Sequence, residues 1–229
     1  MLLMLIALPM IGFGQMNFKT YVPDDNFETY LEDNGMGDGI LLNDSINTLS
    51  IEMLMYLDVS NRNIYDLTGI EDFTVLTFLD CGHNQLTSID VSQNLYLQNF
   101  ECSFNQITSL DVTNNIALTN LYCDDNQLTF LDLRNGNNTN IIEFFVSYNA
   151  SLTCINVDDA IWSTANWTNI DPQHYFSNNC STTDIEEHAT KKGLLKITDL
   201  LGRETKENKN HVLFYLYDDG TVEKKVVIE

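Results

Sequence analysis

The stretch LTFLDCGHNQLTSIDVSQNLY at residues 76–96 is followed by LQNFECSFNQITSLDVTNNIA at 97–117, LTNLYCDDNQLTFLDLRNGNNTN at 118–140 and IIEFFVSYNASLTCINVDDA at 141–160. These copies begin 21, 21 and 23 residues apart, and a less regular copy of 22 residues precedes them at Leu54. A period of this length is typical of a solenoid, because one copy buries its apolar edge only by stacking on its neighbours. The repeat therefore predicts about five stacked copies.

Each copy carries apolar residues in the pattern L-x-x-L-x-C-x-x-N-x-L. Alternation at period two predicts a short strand, and Asn in the turn that follows can tie its side-chain amide to neighbouring backbone groups. We expect a ladder formed by four such residues: Asn84, Asn105, Asn126 and Asn149. The second half of each copy repeats the alternation, which predicts a second short strand on the opposite face.

The chain is strongly acidic, with 33 Asp and Glu against 11 Lys and Arg among 229 residues, a formal net charge of -22. This charge repels phosphate backbones and anionic lipids, which argues against nucleic-acid binding and against a polybasic membrane contact. The imbalance is uneven, since residues 1–180 contain three basic and 23 acidic residues whereas residues 181–229 contain eight and ten. This break predicts a domain boundary near Cys180.

Residues 1–14 are predicted to be a secretory signal peptide. The opening MLLMLIALPMIGFGQ is an apolar run closed by small residues, too short to cross a bilayer as a helix. No later stretch free of charges reaches membrane-spanning length, so we expect no membrane span. Export also makes disulfide bonds permissible.

The five cysteines fall into two groups. Cys81, Cys102 and Cys123 recur every 21 residues at one repeat position, where we expect inward-facing small apolar side chains. A zinc site there is disfavoured, because side chains stacked one strand spacing apart form a row and not a tetrahedron. Cys154 and Cys180 do not share the repeat position and are the candidate disulfide, the alternative being two unrelated free thiols.

These repeats resemble the leucine-rich-repeat family, in the 21-residue form LxxLxCxxNQLTxLDVxxN that is common in secreted proteins of the Bacteroidetes. The resemblance covers residues 54–158 and implies a mainly β solenoid of about five 21–23-residue repeats. Residues 15–53, which include TYVPDDNFETYLEDNG, are similar to the helical N-terminal cap of such proteins, with Asp24 or Asp25 as the N-cap residue. Residues 159–180 complete a segment that resembles their C-terminal cap, closed by the candidate disulfide.

The end of the chain is predicted to be a separate small β-module. A polar linker at 181–193 leads to alternating runs at 194–197, 212–217 and 222–228, which we interpret as a small β-sandwich fragment. Residues 194–229, with DLLGRE, LFYLYDDG and KKVVIE, resemble the type A sorting domain of the type IX secretion system. The resemblance implies contact with that secretion machinery, export across an outer membrane, removal of the domain, and surface anchoring or release. The alternative is an ordinary β-module.

Sequence motifs for catalysis are missing. The four His residues are scattered, and no H-E-x-x-H, G-x-S-x-G or P-loop spacing occurs, so we expect neither an enzyme nor a cofactor. The weak metal candidate is the row Asp90, Asp111 and Asp132, where equal charges stack on successive copies. Bound Ca²⁺ would relieve their repulsion; the simpler solution is hydrogen bonding by the neighbouring Thr residues at 87, 108, 129 and 153, together with solvent screening.

A ligand-binding face is expected on the concave sheet, if the first strand of each copy forms it. Its outward residues vary from copy to copy, as on a surface shaped for a ligand, and they combine aromatic rings with carboxylates. Such groups suit sugar rings or a basic protein patch; the alternative is that aromatics simply favour strands. The candidate binding residues are Tyr56, Phe78, Asp80, Glu101, Phe104, Tyr122, Asp124, Phe145 and Tyr148.

The sequence thus favours a binding module, extracellular or on the outer-membrane surface, that recognises a protein or polysaccharide and serves adhesion or recognition. The alternative function is a structural cell-surface protein without a specific ligand, whose acidic rows take up divalent cations.

Overall fold

The computed structural model describes residues 18–180, 194–199, 202–206, 212–217 and 222–226. The predicted signal peptide and linker lie outside these described residues. The chain divides into two compact units, and the division falls between Cys180 and Ser181. Within the described ranges, no helix is both long and apolar enough to cross a membrane.

The first unit begins with the segment that the sequence predicts to be a cap. Strand β1 (Lys19–Tyr21) pairs antiparallel with β2 (Ser45–Asn47), and helix α1 (Asp25–Asp33) lies between them in the chain. Asp24 is the N-cap residue: its Oδ1 accepts the backbone N–H groups of residues 26 and 27, and its Oδ2 accepts those of residues 65 and 66. One carboxylate therefore both starts the helix and ties the cap to the first repeat.

Five parallel strands of three residues form the first sheet of the solenoid. They are β3 (Tyr56–Asp58), β4 (Phe78–Asp80), β5 (Asn99–Glu101), β7 (Asn120–Tyr122) and β9 (Glu143–Phe145), in the order β3-β4-β5-β7-β9. The middle residue of every strand is buried, whereas its two neighbours face outward. Stacked parallel strands at a spacing of 21 to 23 residues form the repeat solenoid that the sequence predicts.

The second sheet is shorter than the sequence predicts. It contains β6 (Ser109–Asp111), β8 (Phe130–Asp132), β10 (Cys154–Asn156) and β11 (Tyr175–Ser177), all parallel and ordered β6-β8-β10-β11. The copies that begin at residues 54 and 76 have no second strand, so the expectation of two strands in every copy is wrong. In the first of them, Gly69 at φ 104° and a short 3₁₀ helix (Ile70–Asp72) replace the strand.

Buried Asn side chains connect consecutive copies through their backbones. Asn105 is typical: its Nδ2 donates to the carbonyl oxygens of Cys81 and Cys102, both at 3.0 Å, and its Oδ1 accepts the N–H of Leu86 at 3.0 Å. Asn84, Asn126 and Asn149 repeat these contacts. Because a turn in the core leaves backbone groups without strand partners, these amides supply them.

The segment that the sequence predicts to be the C-terminal cap follows the last copy. Helix α2 (Ala160–Asn166) begins after Asp159, whose Oδ1 accepts the N–H groups of residues 161 and 162. Trp167 then packs against Phe144 and Phe176, with ring centroids 4.7 and 5.5 Å away. The predicted Cys154–Cys180 disulfide is confirmed, and it joins β10 to the residues after β11.

The second unit contains one antiparallel sheet of order β12-β13-β14, formed by β12 (Leu194–Thr198), β13 (Val212–Tyr217) and β14 (Val222–Val226). These strands fall on the three runs that the sequence predicts. In the described part of this unit they form a single sheet and not the two layers of a sandwich.

Candidate functional site

The outward side chains of the first sheet form one surface, which we call the front face. Register places Asp80 beside Glu101, and Glu101 beside Tyr122, one strand spacing apart. Outward residues at equivalent positions of consecutive copies are therefore adjacent. Six of the predicted binding residues lie on the strands themselves, and Phe104, Asp124 and Tyr148 follow the strands by two or three residues.

Aromatic rings on or beside this face stack in pairs along the solenoid. The pairs are Tyr56 with Phe78 (centroids 4.4 Å apart, planes at 11°), His83 with Phe104 (4.2 Å, 8°) and Tyr122 with Phe145 (5.3 Å, 9°). The Tyr122 hydroxyl donates to the Glu143 carboxylate, which also accepts the Asn120 side-chain amide at 2.8 Å. These contacts fix the Tyr122 ring before any ligand arrives.

A depression of about 380 Å³ opens among two of these ring pairs. We call it the acidic pocket. It is lined by Ser60, Asn61, Asp80, Gly82, His83, Glu101, Ser103, Phe104, Tyr122, Asp124 and Phe145. Gly82 keeps it open, because a Cβ there would lie 3.2 Å from Asp80 Oδ1 and 3.4 Å from Glu101 Oε1. The predicted residues Tyr56, Phe78 and Tyr148 do not line the pocket.

The pocket carboxylates accept hydrogen bonds from neutral donors. The Gly82 N–H donates to Asp80 at 2.9 Å, the Ser103 N–H to Glu101 at 2.8 Å, and the Ser103 hydroxyl to Asp124 at 2.9 Å. Burial raises the pKa of Asp80 and of Glu101, and neighbouring carboxylates add to both increases. The front face therefore holds closely spaced negative charges at an energetic cost to the free protein.

The residue that ends each turn of the front face has a left-handed backbone. Asn61, His83, Phe104, Asp125 and Tyr148 have φ between 49° and 59°. Asn, Asp and His are enriched in this conformation, whereas a Phe or Tyr side chain in it costs roughly 1 kcal/mol or more. Two of the five copies nevertheless carry Phe or Tyr at this position. Strain of this kind concentrates at functional sites, which favours a role for these rings beyond folding.

The carboxylates of the weak metal candidate, Asp90, Asp111 and Asp132, are each bonded to residues close by in the sequence. Asp90 and Asp111 accept the N–H groups of residues 92 and 113, while Asp132 is buried and pairs with Arg134 Nε at 2.9 Å. The donors that offset the repulsion among these carboxylates are thus the residues two positions after each Asp. The expectation that the Thr residues at 87, 108, 129 and 153 supply these hydrogen bonds is wrong. Across the described ranges, no three His, Cys, Asp or Glu side chains are grouped as metal ligands.

The three repeat cysteines are free and buried. Burial raises the pKa of Cys81, Cys102 and Cys123 far above that of an exposed thiol. Because the thiolate is the reactive form, these side chains act as packing groups and not as nucleophiles.

Two features of this unit were missed by the sequence reasoning. Gly82 stands where other copies carry Ser or Asp, and that difference was the available signal for an opening. Asn94, Asn115 and Asn135 form a second buried row whose Nδ2 groups donate to carbonyl oxygens of the preceding copy, at 2.9 to 3.1 Å. The recurrence of Asn at positions 94 and 115 is the sequence signal for this row.

Comparison with known proteins finds internalins, which carry leucine-rich repeats. No family model matches the chain. Internalin J of Listeria monocytogenes is 37% identical over 78 residues, which are 34% of this chain and 8% of that protein. A solved domain of InlJ, described as including a cysteine ladder, has 28% identity over 62% of this chain and 38% of its own, with a TM-score of 0.48. Internalin InlF of the same species has 18% identity over 68% and 56%, with a TM-score of 0.45. The chain thus spans less than a tenth of the curated relative.

Proposed function

We propose that this chain is a secreted or surface-displayed leucine-rich-repeat module that recognises a protein or glycan through its front face and serves adhesion or recognition. The proposal rests on the acidic pocket. Rings that are already stacked, carboxylates held by local hydrogen bonds and an opening at Gly82 form a preorganised concave site, in which little order is lost on binding. Similarity to Internalin J over 78 residues supports a binding role over a catalytic one.

Binding of the full chain to glycan and surface-protein arrays tests this function. A variant with Phe104, Tyr122 and Phe145 changed to Ala removes rings from the pocket. The matched control changes Tyr65, Tyr96 and Phe130, three exposed rings outside the pocket, in the same way. We expect a ligand that the wild type and the control retain and the pocket variant loses by about tenfold or more. Equal loss in both variants, or a signal that only EDTA abolishes, would reject the front face as the recognition surface.

We further propose that residues 194–229 direct export through the type IX secretion system and are then removed. Support comes from the sequence resemblance and from the three strands that fall on the resembling runs. Mass spectrometry of the protein recovered from the cell exterior should find no peptide ending at Glu229. Recovery of the intact C-terminus would reject removal, and export unchanged by deletion of residues 194–229 would reject the sorting role.

A further inference from the structure

In the part of the chain that the structure describes, no Lys or Arg side chain pairs with the carboxylates of the acidic pocket, and the one basic side chain in its lining is the imidazole of His83. Each of Asp80, Glu101 and Asp124 accepts hydrogen bonds from backbone or hydroxyl groups, all of them neutral. Among the described residues, none of the ion pairs involves these three side chains. Arg62 is close in sequence, but its guanidinium lies 4.9 Å from the centroid of the Tyr30 ring.

These charges are partly withdrawn from water. All three carboxylate residues are half-buried, and Asp58 stands beside Asp80 on the neighbouring strand. A bound cation would relieve the repulsion among them, whereas a neutral ligand would bury them further without compensation. A positively charged ligand is therefore favoured over an uncharged sugar.

The rings that line the pocket suit a flat cation. Tyr122 has the Phe145 ring on one side and Glu101 as its neighbour on the preceding strand. A guanidinium group stacks on an aromatic face and forms parallel hydrogen bonds with a carboxylate, which a spherical ion does not do. Asp80 and Glu101 lie side by side on adjacent strands, and the described residues contain no grouping that fits a metal ion.

We propose that the acidic pocket binds an arginine side chain of a partner protein, with the guanidinium over Tyr122 and paired with Glu101 and Asp124. This inference rests on the proposed recognition function and specifies its partner as a protein with an exposed basic segment. Gly82 contributes to this binding, since a side chain at that position would begin 3.2 Å from Asp80 Oδ1 and 3.4 Å from Glu101 Oε1 and would occupy space beside these two carboxylates. Net charge across the solenoid brings the basic segment to the face, and the pocket holds it.

The test measures binding of a labelled nine-residue peptide of alternating Gly and Arg to the full chain, by fluorescence anisotropy at about 0.15 M salt, where the Debye length is about 8 Å. A peptide with citrulline in place of Arg keeps the shape of the side chain and removes its charge. A Lys peptide keeps the charge and removes the planar guanidinium group. The expected order of affinity is Arg, then Lys, with citrulline unbound.

General attraction to an acidic protein is separated from pocket binding by two matched variants. Glu101→Gln with Asp124→Asn removes two charges from the pocket, whereas Asp90→Asn with Asp111→Asn removes two from the second-sheet side. We expect Kd for the Arg peptide to rise about tenfold or more in the first and less than about twofold in the second. Equal weakening in both variants, or binding of the citrulline peptide at the Arg level, would overturn the proposal.

A variant that keeps every charge tests binding in the pocket independently of net charge. Gly82→Leu fills the pocket, and circular dichroism verifies that it and the charge variants remain folded. It should weaken Arg-peptide binding as much as the charge variant; a folded Gly82→Leu protein with unchanged affinity would overturn the assignment. The two proposals can fail separately. If the variant with Phe104, Tyr122 and Phe145 changed to Ala loses an array ligand, while the Glu101→Gln, Asp124→Asn variant still binds the Arg peptide, the recognition function stands and the arginine assignment fails.

Discussion

The rings of His83 and Phe104 stack 4.2 Å apart at an angle of 8°, and both residues hold a left-handed backbone, with φ of 54° and 56°. Consecutive copies of the solenoid therefore bring two aromatic side chains into contact, and for Phe104 the backbone conformation is a costly one. Stacking of the two rings offsets part of the free-energy cost of this backbone conformation, whereas an unstacked ring at the same position has no such offset.

Tyr148 has the same backbone conformation, with φ of 59°, and is 72% exposed. No ring of the described residues stacks on it. Tyr148→Asn should raise the free energy of unfolding by about 1 kcal/mol, because Asn tolerates this conformation. Phe104→Asn should gain less, since it also loses the stack with His83. Urea denaturation measures both, and an equal gain for the two variants would contradict the energetic role of the stack.

Glu101 should make stability depend on pH in a specific direction. Its pKa is raised in the folded protein by burial, so the folded state holds the proton more tightly than the unfolded state. The stability that this tighter proton binding adds is present at low pH and is lost as the pH rises through the pKa of Glu101 in the folded protein. Glu101→Gln should therefore be more stable than wild type near pH 7, and the difference should shrink toward pH 4, near the pKa of an unperturbed Glu.

Asp38 provides the comparison of opposite sign. Its hydrogen bond with Lys19 lowers its pKa, so its contribution is present at neutral pH and is lost on acidification. Asp38→Asn should be less stable than wild type at pH 7, and this difference should also shrink as the pH falls. Urea denaturation at pH values from 7 to below 3.8, the ordinary pKa of Asp, measures both differences. The same sign for both variants at pH 7 would contradict the assignment of the pocket as a strained charge cluster.

The Asn ladder should contribute strongly to stability. Asn105→Ala leaves the N–H of Leu86 and the carbonyl oxygens of Cys81 and Cys102 without their side-chain partner, at a cost of about 3 kcal/mol or more. Asn114 is exposed, and its amide makes one contact of 3.3 Å with a carbonyl oxygen. Asn114→Ala should cost less than about 0.5 kcal/mol. Similar losses for the two variants would show that the ladder is not the stabilising feature.

Cysteine labelling should separate the two groups of thiols. Without reduction, iodoacetamide should label no cysteine of the native protein and three cysteines of the denatured protein, Cys81, Cys102 and Cys123. Labelling of Cys154 or Cys180 without reductant would contradict the disulfide. Reduction should lower the free energy of unfolding by about 3 kcal/mol on the chain-entropy model, because the bridge closes a loop with a sequence separation of 26.

The repeat made the solenoid predictable, because a strand residue that recurs every 21 positions has one way to be buried. Leu79, Phe100 and Leu121 are accordingly side by side in the core. The disulfide was predictable for a related reason, since Cys154 and Cys180 were the cysteines outside the repeat position.

Local backbone geometry could not be read from the repeat. The absent second strand near Gly69 depends on a positive φ, and the left-handed turn at Phe104 carries a residue type that does not favour it. The front face was predictable as a set of residues, but the pocket was not. Its opening depends on a missing side chain at Gly82 and on ring orientations set by contacts such as that between Tyr122 and Glu143.

Carboxyl footprinting of the full chain, with and without a ligand captured on the arrays, tests the recognition surface most directly. Carbodiimide labelling followed by mass spectrometry reports the accessibility of each Asp and Glu. Ligand should protect Asp80, Glu101 and Asp124 on the front face and leave Asp90 and Asp111 labelled as before. Protection of Asp90 and Asp111, with the pocket carboxylates unchanged, would contradict recognition through the front face.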